Sequence, residues 1–525
     1  MRQVFAAQPS PSKWATLAAA CLGLGMLMVD TFVVNVALPA MSRDLKAGID
    51  TIQWVVSGYV LMVAVLPVAG GRIGDIFGRR QVYLFGLMLF ILASAASSVA
   101  SNAEVLIVCR LFQGAGAAIM QPATLSIVIN AFPARERGIA VGIWGGVSGL
   151  GLILGPIVGG LLVQGDNWRP IFLVNIPVGA LALAMALRFV PSSRDESAPR
   201  VIDLPGLALL SGGLLMIMFA VTRANAEGWG STLILACFAA GGVMLPLFVQ
   251  VERRARYPLV DLSLFRSGTF VMACFSAFLF SATVFGSQPY TSLFMQNFWG
   301  YTPLEGGLAF LPATVLVALL MPFSGIMGQR LGHRLRFIVM AGSVSVAVSF
   351  LYLLRLDAGD GYVDGFLPAF ILRGAGIGLF MSATSLAVVS AVPLAKSGLA
   401  SGTLTMARNI GTSIGVAVLG ATYLHYVDAE APGRFAGADS GQLARLALAA
   451  DRLVPSSEGA VRAASEQLIV DGYVLVALLC VVLASLATLA AAFIHHGAPA
   501  AAPLRAEAVA ARAPAGLASD GGEGG

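Results

Sequence analysis

Long, nearly unbroken apolar runs dominate this chain, and polar residues gather in the short gaps between them. About fourteen such runs of roughly twenty residues occur, at 14–39, 52–71, 80–100, 104–129, 138–163, 170–190, 204–222, 231–250, 268–292, 304–328, 335–355, 365–389, 397–425 and 470–494, and each is long enough to cross a bilayer as a helix. The run after Trp14 exceeds the apolar region of a cleaved leader and lacks a small-residue cleavage site, so it is expected to remain as the first span. With the N-terminus inside, the gaps on one face carry Arg72, Arg79, Arg80, Arg135, Arg253, Arg334 and Lys396 among others. The short gaps on the opposite face hold only Arg43, Lys46, Arg169, Arg223 and Arg355. This asymmetry predicts that both termini are cytoplasmic.

An internal repeat organises the spans. Gly71-Arg-Ile-Gly-Asp75-Ile-Phe-Gly78-Arg79-Arg80 returns as Gly325-Ile-Met-Gly-Gln329-Arg-Leu-Gly332-His-Arg334, offset by 254 residues, and Gln113-Gly-Ala-Gly116 returns as Arg373-Gly-Ala-Gly376, offset by 260. The extra residues are absorbed by the longer gap 356–364. A parallel duplication predicts two six-helix bundles, 1–190 and 268–496, with a substrate between them near the midplane. Residues 191–267 then hold two linking helices. Within the second bundle, 426–469 reads as an outer loop bearing a short amphipathic helix with Leu443, Leu446, Ala450 and Leu453 at helical spacing. The Ala-, Gly- and Pro-rich stretch 497–525 cannot bury a core and reads as a disordered cytoplasmic tail.

Composition agrees with an all-α integral membrane protein: of 525 residues, 58% are hydrophobic and only 11% charged. The net charge of +5 lies in gaps between spans and forms no stripe, so it orients the chain and does not predict nucleic-acid binding. The five cysteines all fall in apolar runs without metal-ligand spacing, which predicts neither disulfides nor a metal site. Lys396 lacks the preceding glycine-rich loop of a nucleotide motor, and His333, His425, His495 and His496 belong to no catalytic or metal constellation. The chain is expected to be no enzyme and to use no cofactor, its energy coming from an ion gradient.

Three groups of residues stand out inside or beside the spans. Asp30 lies about 14 Å inside the first run, counting 1.5 Å per residue from Pro39. A carboxylate there is costly and marks either a pathway or a hydrogen bond between helices. Arg110 lies about 9 Å inside the fourth run at a similar depth, where it either faces the same cavity or snorkels to the headgroups. In 138–163, Gly142, Gly151, Gly155, Pro156, Gly159 and Gly160 interrupt an apolar run. Four-residue spacing of Gly151, Gly155 and Gly159 predicts close helix packing, and Pro156 a tolerated bend. The segment Gly71, Asp75, Gly78, Arg79, Arg80 reads as a loop after the second run, with charges able to meet helix ends of the other half.

These motifs carry a resemblance. The G-x8-G-x3-G-P-x2-G-G pattern of 142–160 resembles the antiporter motif in the fifth helix of drug/proton exporters of the major facilitator superfamily. Asp30-Thr31-Phe-Val-Val-Asn35-Val-Ala-Leu-Pro39 resembles the first-helix motif of its fourteen-helix branch. Leu106-x3-Arg110-x2-Gln113-Gly114-x-Gly116 resembles the fourth-helix motif associated with proton coupling, and Gly71–Arg80 the cytoplasmic gate loop, with Ile76 in place of the usual basic residue. Trp168-Arg169-Pro170-Ile-Phe172-Leu-Val-Asn175-Ile-Pro177-Val-Gly179 is similar to the sixth-helix entrance of that branch; further matches occur at Pro258–Phe265 and at Gly402-x5-Arg408-x2-Gly411-x3-Gly415.

The resemblance implies the major facilitator fold with fourteen crossings in a bacterial inner membrane and proton-coupled export of amphipathic organic compounds such as drugs or antibiotics. It implies Asp30, Asn35 and Arg110 as the coupling and substrate-cavity residues. Arg373 and Arg408 face either the cavity or the gate. Protons, a small-molecule substrate and the bilayer are the implied partners, with an outer adaptor protein left open. Alternatives are a proton-coupled nutrient importer and a non-transporting membrane sensor or scaffold.

Overall fold

Hydrocarbon offers no partner to a backbone N–H or C=O, so an apolar run must satisfy both internally and becomes a helix. The computed structural model describes residues 12–163, 167–192, 203–255, 258, 260, 262–357, 359–393, 396–434 and 459–494. The helices are α1 (Lys13–Asp44), α2 (Ile49–Val65), α3 (Pro67–Phe77), α4 (Arg79–Ser98), α5 (Ala103–Ala131), α6 (Arg137–Leu162), α7 (Pro170–Leu173), α8 (Asn175–Phe189), α9 (Leu204–Glu227), α10 (Thr232–Arg254), α11 (Gly268–Val284), α12 (Gln288–Asn297), α13 (Pro303–Ala309), α14 (Leu311–Leu331), α15 (Leu335–Leu353), α16 (Leu367–Ser390), α17 (Ser397–Arg434) and α18 (Gly459–Ala492). Among the described residues, 12 spans are long and apolar enough to cross a membrane, or 13 with the α2–α3 pair, which is bent by 50°. The remaining run of the sequence count, 138–163, is the 26-residue helix α6, packed between α1 and α14.

In the first half α4 lies on α5, and α1 on α6 and α8; in the second, α14 and α15 lie on α16, and α11 on α17 and α18. The halves meet where α3 crosses α17 and α6 crosses α14, while α9 and α10 pair with each other and α9 reaches α2 and α17. Buried Leu24, Tyr83, Phe90 and Met120 centre the first core, and Phe270, Phe350, Phe380 and Tyr473 the second. Phe85, Leu92, Leu161 and Leu319 are exposed on the outside, as expected where lipid replaces water.

The duplication is visible in the backbone. Gly78 and Gly332, equivalent in the repeat, both take positive φ, 110° and 49°, where the chain turns from one helix into the next. A Cβ on Gly86 would lie 2.8 Å from the Gly116 carbonyl oxygen, and one on Gly342 2.8 Å from that of Gly376, so the same close helix crossing recurs in each half.

Two expectations need correction or relocation. The segment from Gly71 to Asp75 is not a loop. Pro67 occupies the first turn of α3, where its missing N–H costs nothing, and Val68, Ala69 and Ile76 bury an apolar face that holds the glycines helical. Only Gly78 is irregular, and Arg79 and Arg80 open α4. Helices α17 and α18 extend into the predicted outer loop, to Arg434 and from Gly459. The amphipathic positions Leu443, Leu446, Ala450 and Leu453, and the tail 497–525, lie outside the described residues.

Candidate functional site

Asp30 and Arg110 do share one site. Asp30 is 1% exposed and Arg110 0%, and Arg110 Nη1 donates to Asp30 Oδ2 at 2.6 Å. The other carboxylate oxygen accepts from Gln113 Nε2 at 2.9 Å and Asn175 Nδ2 at 2.8 Å. Arg110 also donates through Nη1 to Gln113 Oε1 at 2.8 Å and through Nε to the Val55 carbonyl at 3.0 Å, and its guanidinium lies 4.1 Å from the Tyr59 ring centroid. Asn175 reaches Ser94 Oγ at 3.1 Å, and Ser94 donates to the Phe172 carbonyl at 2.9 Å. Helices α1, α2, α4, α5 and α8 thus meet in one buried network around this carboxylate.

The arrangement follows from the cost of charge. A buried carboxylate is tolerable only with a cation and hydrogen-bond donors, and its partners are held in turn by backbone carbonyls. Arg110 is a fixed cation, because a guanidinium does not deprotonate in a protein. The ion pair ties α1 to α5, and Gln113 and Asn175 hold the second carboxylate oxygen from α5 and α8. Asp30 and its partners are sealed from solvent in the conformation observed.

Gln113 and Asn175 were not singled out from the sequence, although both lie within quoted motifs. A neutral amide in an apolar run carries less signal than a charge. Asn35, by contrast, is exposed, and its Nδ2 reaches only the Phe32 carbonyl, at 3.5 Å. It stands outside the Asp30 network.

The segment from Gly71 to Arg80 forms a second buried centre. Asp75 Oδ1 accepts from Arg79 Nη2 at 2.9 Å and Nε at 3.2 Å, and both residues are nearly fully buried. The same carboxylate accepts from Gly398 N at 3.1 Å and Leu399 N at 2.8 Å, at the start of α17. A carboxylate facing the free N–H groups of a helix start is favourable through both hydrogen bonds and dipole. Gly71 allows the contact, since a Cβ there would overlap the Gly398 carbonyl. Arg80 does not cross to the other half; its Nη2 donates to the Leu187 carbonyl of α8 at 2.5 Å.

The glycines of α6 divide between two partners. Gly151, Gly155 and Gly159 face Met28, Phe32 and Val36 of α1, within the same half, whereas Gly142 faces Pro322 of α14 in the other. Gly138 faces Gly325. Gly160 has open space, and Pro156 lies within α6. The regular row therefore fastens α6 to α1, and the surface toward α14 is made by Gly138, Gly142, Gly145 and Gly149.

Arg373 and Arg408 are buried in the second half, Arg373 on α16 and Arg408 on α17.

Residues 20–416 match the family model described as Major Facilitator Superfamily. The chain belongs to the major facilitator superfamily. It is a multi-pass membrane transporter and not an enzyme. Among its relatives, the tetracenomycin C resistance and export protein of Streptomyces glaucescens is 34% identical, over 81% of this chain and 79% of that protein. The multidrug resistance protein Stp of Mycobacterium tuberculosis strain H37Rv is 37% identical over 79% of this chain and 76% of its own length. The solved structure of the proton:xylose symporter XylE bound to 6-bromo-6-deoxy-D-glucose superposes with a TM-score of 0.56 at 14% identity, covering 89% of this chain and 94% of that one, a likeness of fold alone.

Proposed function

We propose that this chain is a proton-coupled antiporter that exports amphipathic organic compounds, drugs or antibiotics, from the cytoplasm across a bacterial inner membrane. In this reading it makes fourteen crossings with both termini cytoplasmic, as two bundles, 1–190 and 268–496, joined by the linking region 191–267. No cofactor takes part; the proton gradient is the energy source. The resistance and export proteins among its relatives support the direction. The observation that carries the coupling is the sealed ion pair of Asp30 and Arg110.

The sequence of events follows from that pair. When the site opens outward, a proton neutralises Asp30, the α1–α5 ion pair is lost, and the first half becomes free to rock against the second. When the site opens inward, the proton leaves, Asp30 and Arg110 re-form their pair, and the transporter resets with cargo bound. Asp75 and Gln329 close the cytoplasmic end during the outward phase.

Everted vesicles test the proposal. Asp30→Asn is expected to abolish export driven by an imposed pH gradient. Because removing one member of a buried pair destabilises by about 3–5 kcal/mol, the double variant Asp30→Asn/Arg110→Gln is the control: it removes both charges, should recover thermal stability, and should still fail to couple. Full pH-driven export by either variant would take Asp30 out of the mechanism.

A further inference from the structure

Among the described residues, the second half contains buried cations with no buried anion beside them. Arg373 is 3% exposed; its guanidinium lies 4.1 Å from the Phe350 ring centroid and 5.5 Å from that of Phe370, and Nε and Nη2 meet no protein acceptor. Arg408 is 9% exposed. Its Nη2 donates to the Met381 carbonyl and to Ser385 Oγ, each at 3.0 Å, and its Nε meets no acceptor. No carboxylate forms an ion pair with either arginine among the described residues. In the first half Asp30 is matched by Arg110, and at the gate Asp75 by Arg79.

The position of Arg408 gives this imbalance a use. Arg408 lies eleven residues into α17, about 16 Å from Ser397 at 1.5 Å per residue, which is close to the middle of a core about 30 Å thick. Helix α17 packs on α2, α3 and α5 of the first half, and the adjacent Asn409 donates to the Val63 carbonyl of α2 at 2.8 Å. Arg408 thus stands next to the seam between the halves at the depth where such transporters hold their substrates. Its protein partners are neutral, and a guanidinium keeps its charge there. Arg373 is partly compensated by two aromatic faces, so it adds positive potential without being the better ligand.

We propose that the cargo is an organic anion, and that Arg408 binds its carboxylate, phenolate or sulfonate group. This inference rests on the exporter reading above and names the substrate class of the same seam. Both oxygens of Asp30 are already committed to Arg110, Gln113 and Asn175, so a cationic cargo would meet the like charge of Arg408 and find no uncommitted oxygen on Asp30. An anionic cargo instead completes the half-satisfied fork of Arg408.

The test uses two dyes on one xanthene scaffold, anionic fluorescein and cationic rhodamine 123, with the full chain in proteoliposomes under an imposed proton gradient. Fluorescein is expected to move at least about tenfold faster, the scale of a single well-placed charge contact. Arg408→Gln should bring the two dyes within about twofold of each other, and Arg408→Lys should keep part of the preference, since it retains the charge and loses the planar fork. Removing an unpaired buried cation should leave the melting temperature unchanged or raised, which separates lost recognition from lost folding. Preference for rhodamine 123, equal movement of both, or an unchanged preference in Arg408→Gln overturns the anion assignment and leaves the exporter reading standing. Proton-driven movement of neither dye overturns the exporter reading itself, and the inference with it.

Discussion

Where α3 crosses α17, Gly71 and Gly398 bring two backbones together and the Asp75 carboxylate accepts from Gly398 N and Leu399 N. Where α14 crosses α6, the repeat-related Gly325 and Gly138 do the same, and the Gln329 amide oxygen accepts from Gly138 N at 3.2 Å. One plan is used twice, with a charged acceptor in one copy and a neutral one in the other. The surroundings differ accordingly. Asp75 is 1% exposed and tied to Arg79, whereas Gln329 borders a cleft of about 360 Å³ lined also by Arg135, Glu136, Ile139, Ile326 and Arg330. A hydrogen bond to a charged group contributes about 1.5–3 kcal/mol and a neutral one about 0.5–1.5, so the contact at α6 is the weaker and should release first when this end of the bundle opens.

The largest expected effect comes from the charged contact. Asp75→Ala strands the buried Arg79 and removes the acceptor from two helix-start N–H groups, which costs the closed state about 3–5 kcal/mol. Spin labels at the C-terminal end of α3 and the N-terminal end of α17 should then report a mostly open end, and transport should fall about a hundredfold or more, since 1.4 kcal/mol is a factor of ten. If the label distances in Asp75→Ala match those of the unmodified chain, Asp75 holds nothing shut.

How this asymmetry, and the rest of the site, was readable in the chain depends on the kind of signal each residue carries. Asp30 and Arg110 announced themselves because charge is scarce in hydrocarbon, and helix counting placed them near enough in depth to meet. Gln113 and Asn175 were silent, because a neutral amide serves equally well as interhelical glue. The replacement of Asp75 by Gln329 was evident once the repeat was aligned. The helical state of Gly71–Asp75 was not, since glycines among charges look like a turn until the burial of Val68 and Ile76 is known. Likewise, four-residue spacing of Gly151, Gly155 and Gly159 reports that a helix approaches closely but not which one, and the partner is α1.

An intermediate effect separates backbone approach from charge. A Cβ on Gly71 would overlap the Gly398 carbonyl, and one on Gly138 the Gly325 carbonyl. Gly71→Ala and Gly138→Ala should therefore each weaken closure by about 1–3 kcal/mol, the usual cost of overpacking. The two losses should be similar, because sterics ignore the Asp/Gln exchange. Label distances across each crossing measure this; a loss confined to Gly71→Ala would mean that the α6 crossing is not closely packed during closure. Gly155→Ala, on the face toward α1, should lower thermal stability with little change in those inter-half distances.

The smallest effect tests the charge itself. Gln329→Ala removes the neutral hydrogen bond from Gly138 N at the start of α6, worth about 0.5–1.5 kcal/mol, so the open fraction should rise less than in Asp75→Ala. Gln329→Glu keeps the length of the side chain and adds the charge that Asp75 has, aimed at a helix start where anions are favoured by about 0.3–1 kcal/mol near a solvated surface. Closure should tighten slightly. The gain stays below that of Asp75 for two reasons visible in the cleft: water there screens the new charge, and Glu136 offsets part of the attraction from Arg135 and Arg330. Raising salt should erase the Gln329→Glu gain while leaving the buried Asp75 contact intact. If Gln329→Ala opens the end as fully as Asp75→Ala, or if Gln329→Glu changes nothing at low salt, the charge of the acceptor is not what distinguishes the two latches, and the order of release must be set by the packing of α3 and α14 instead.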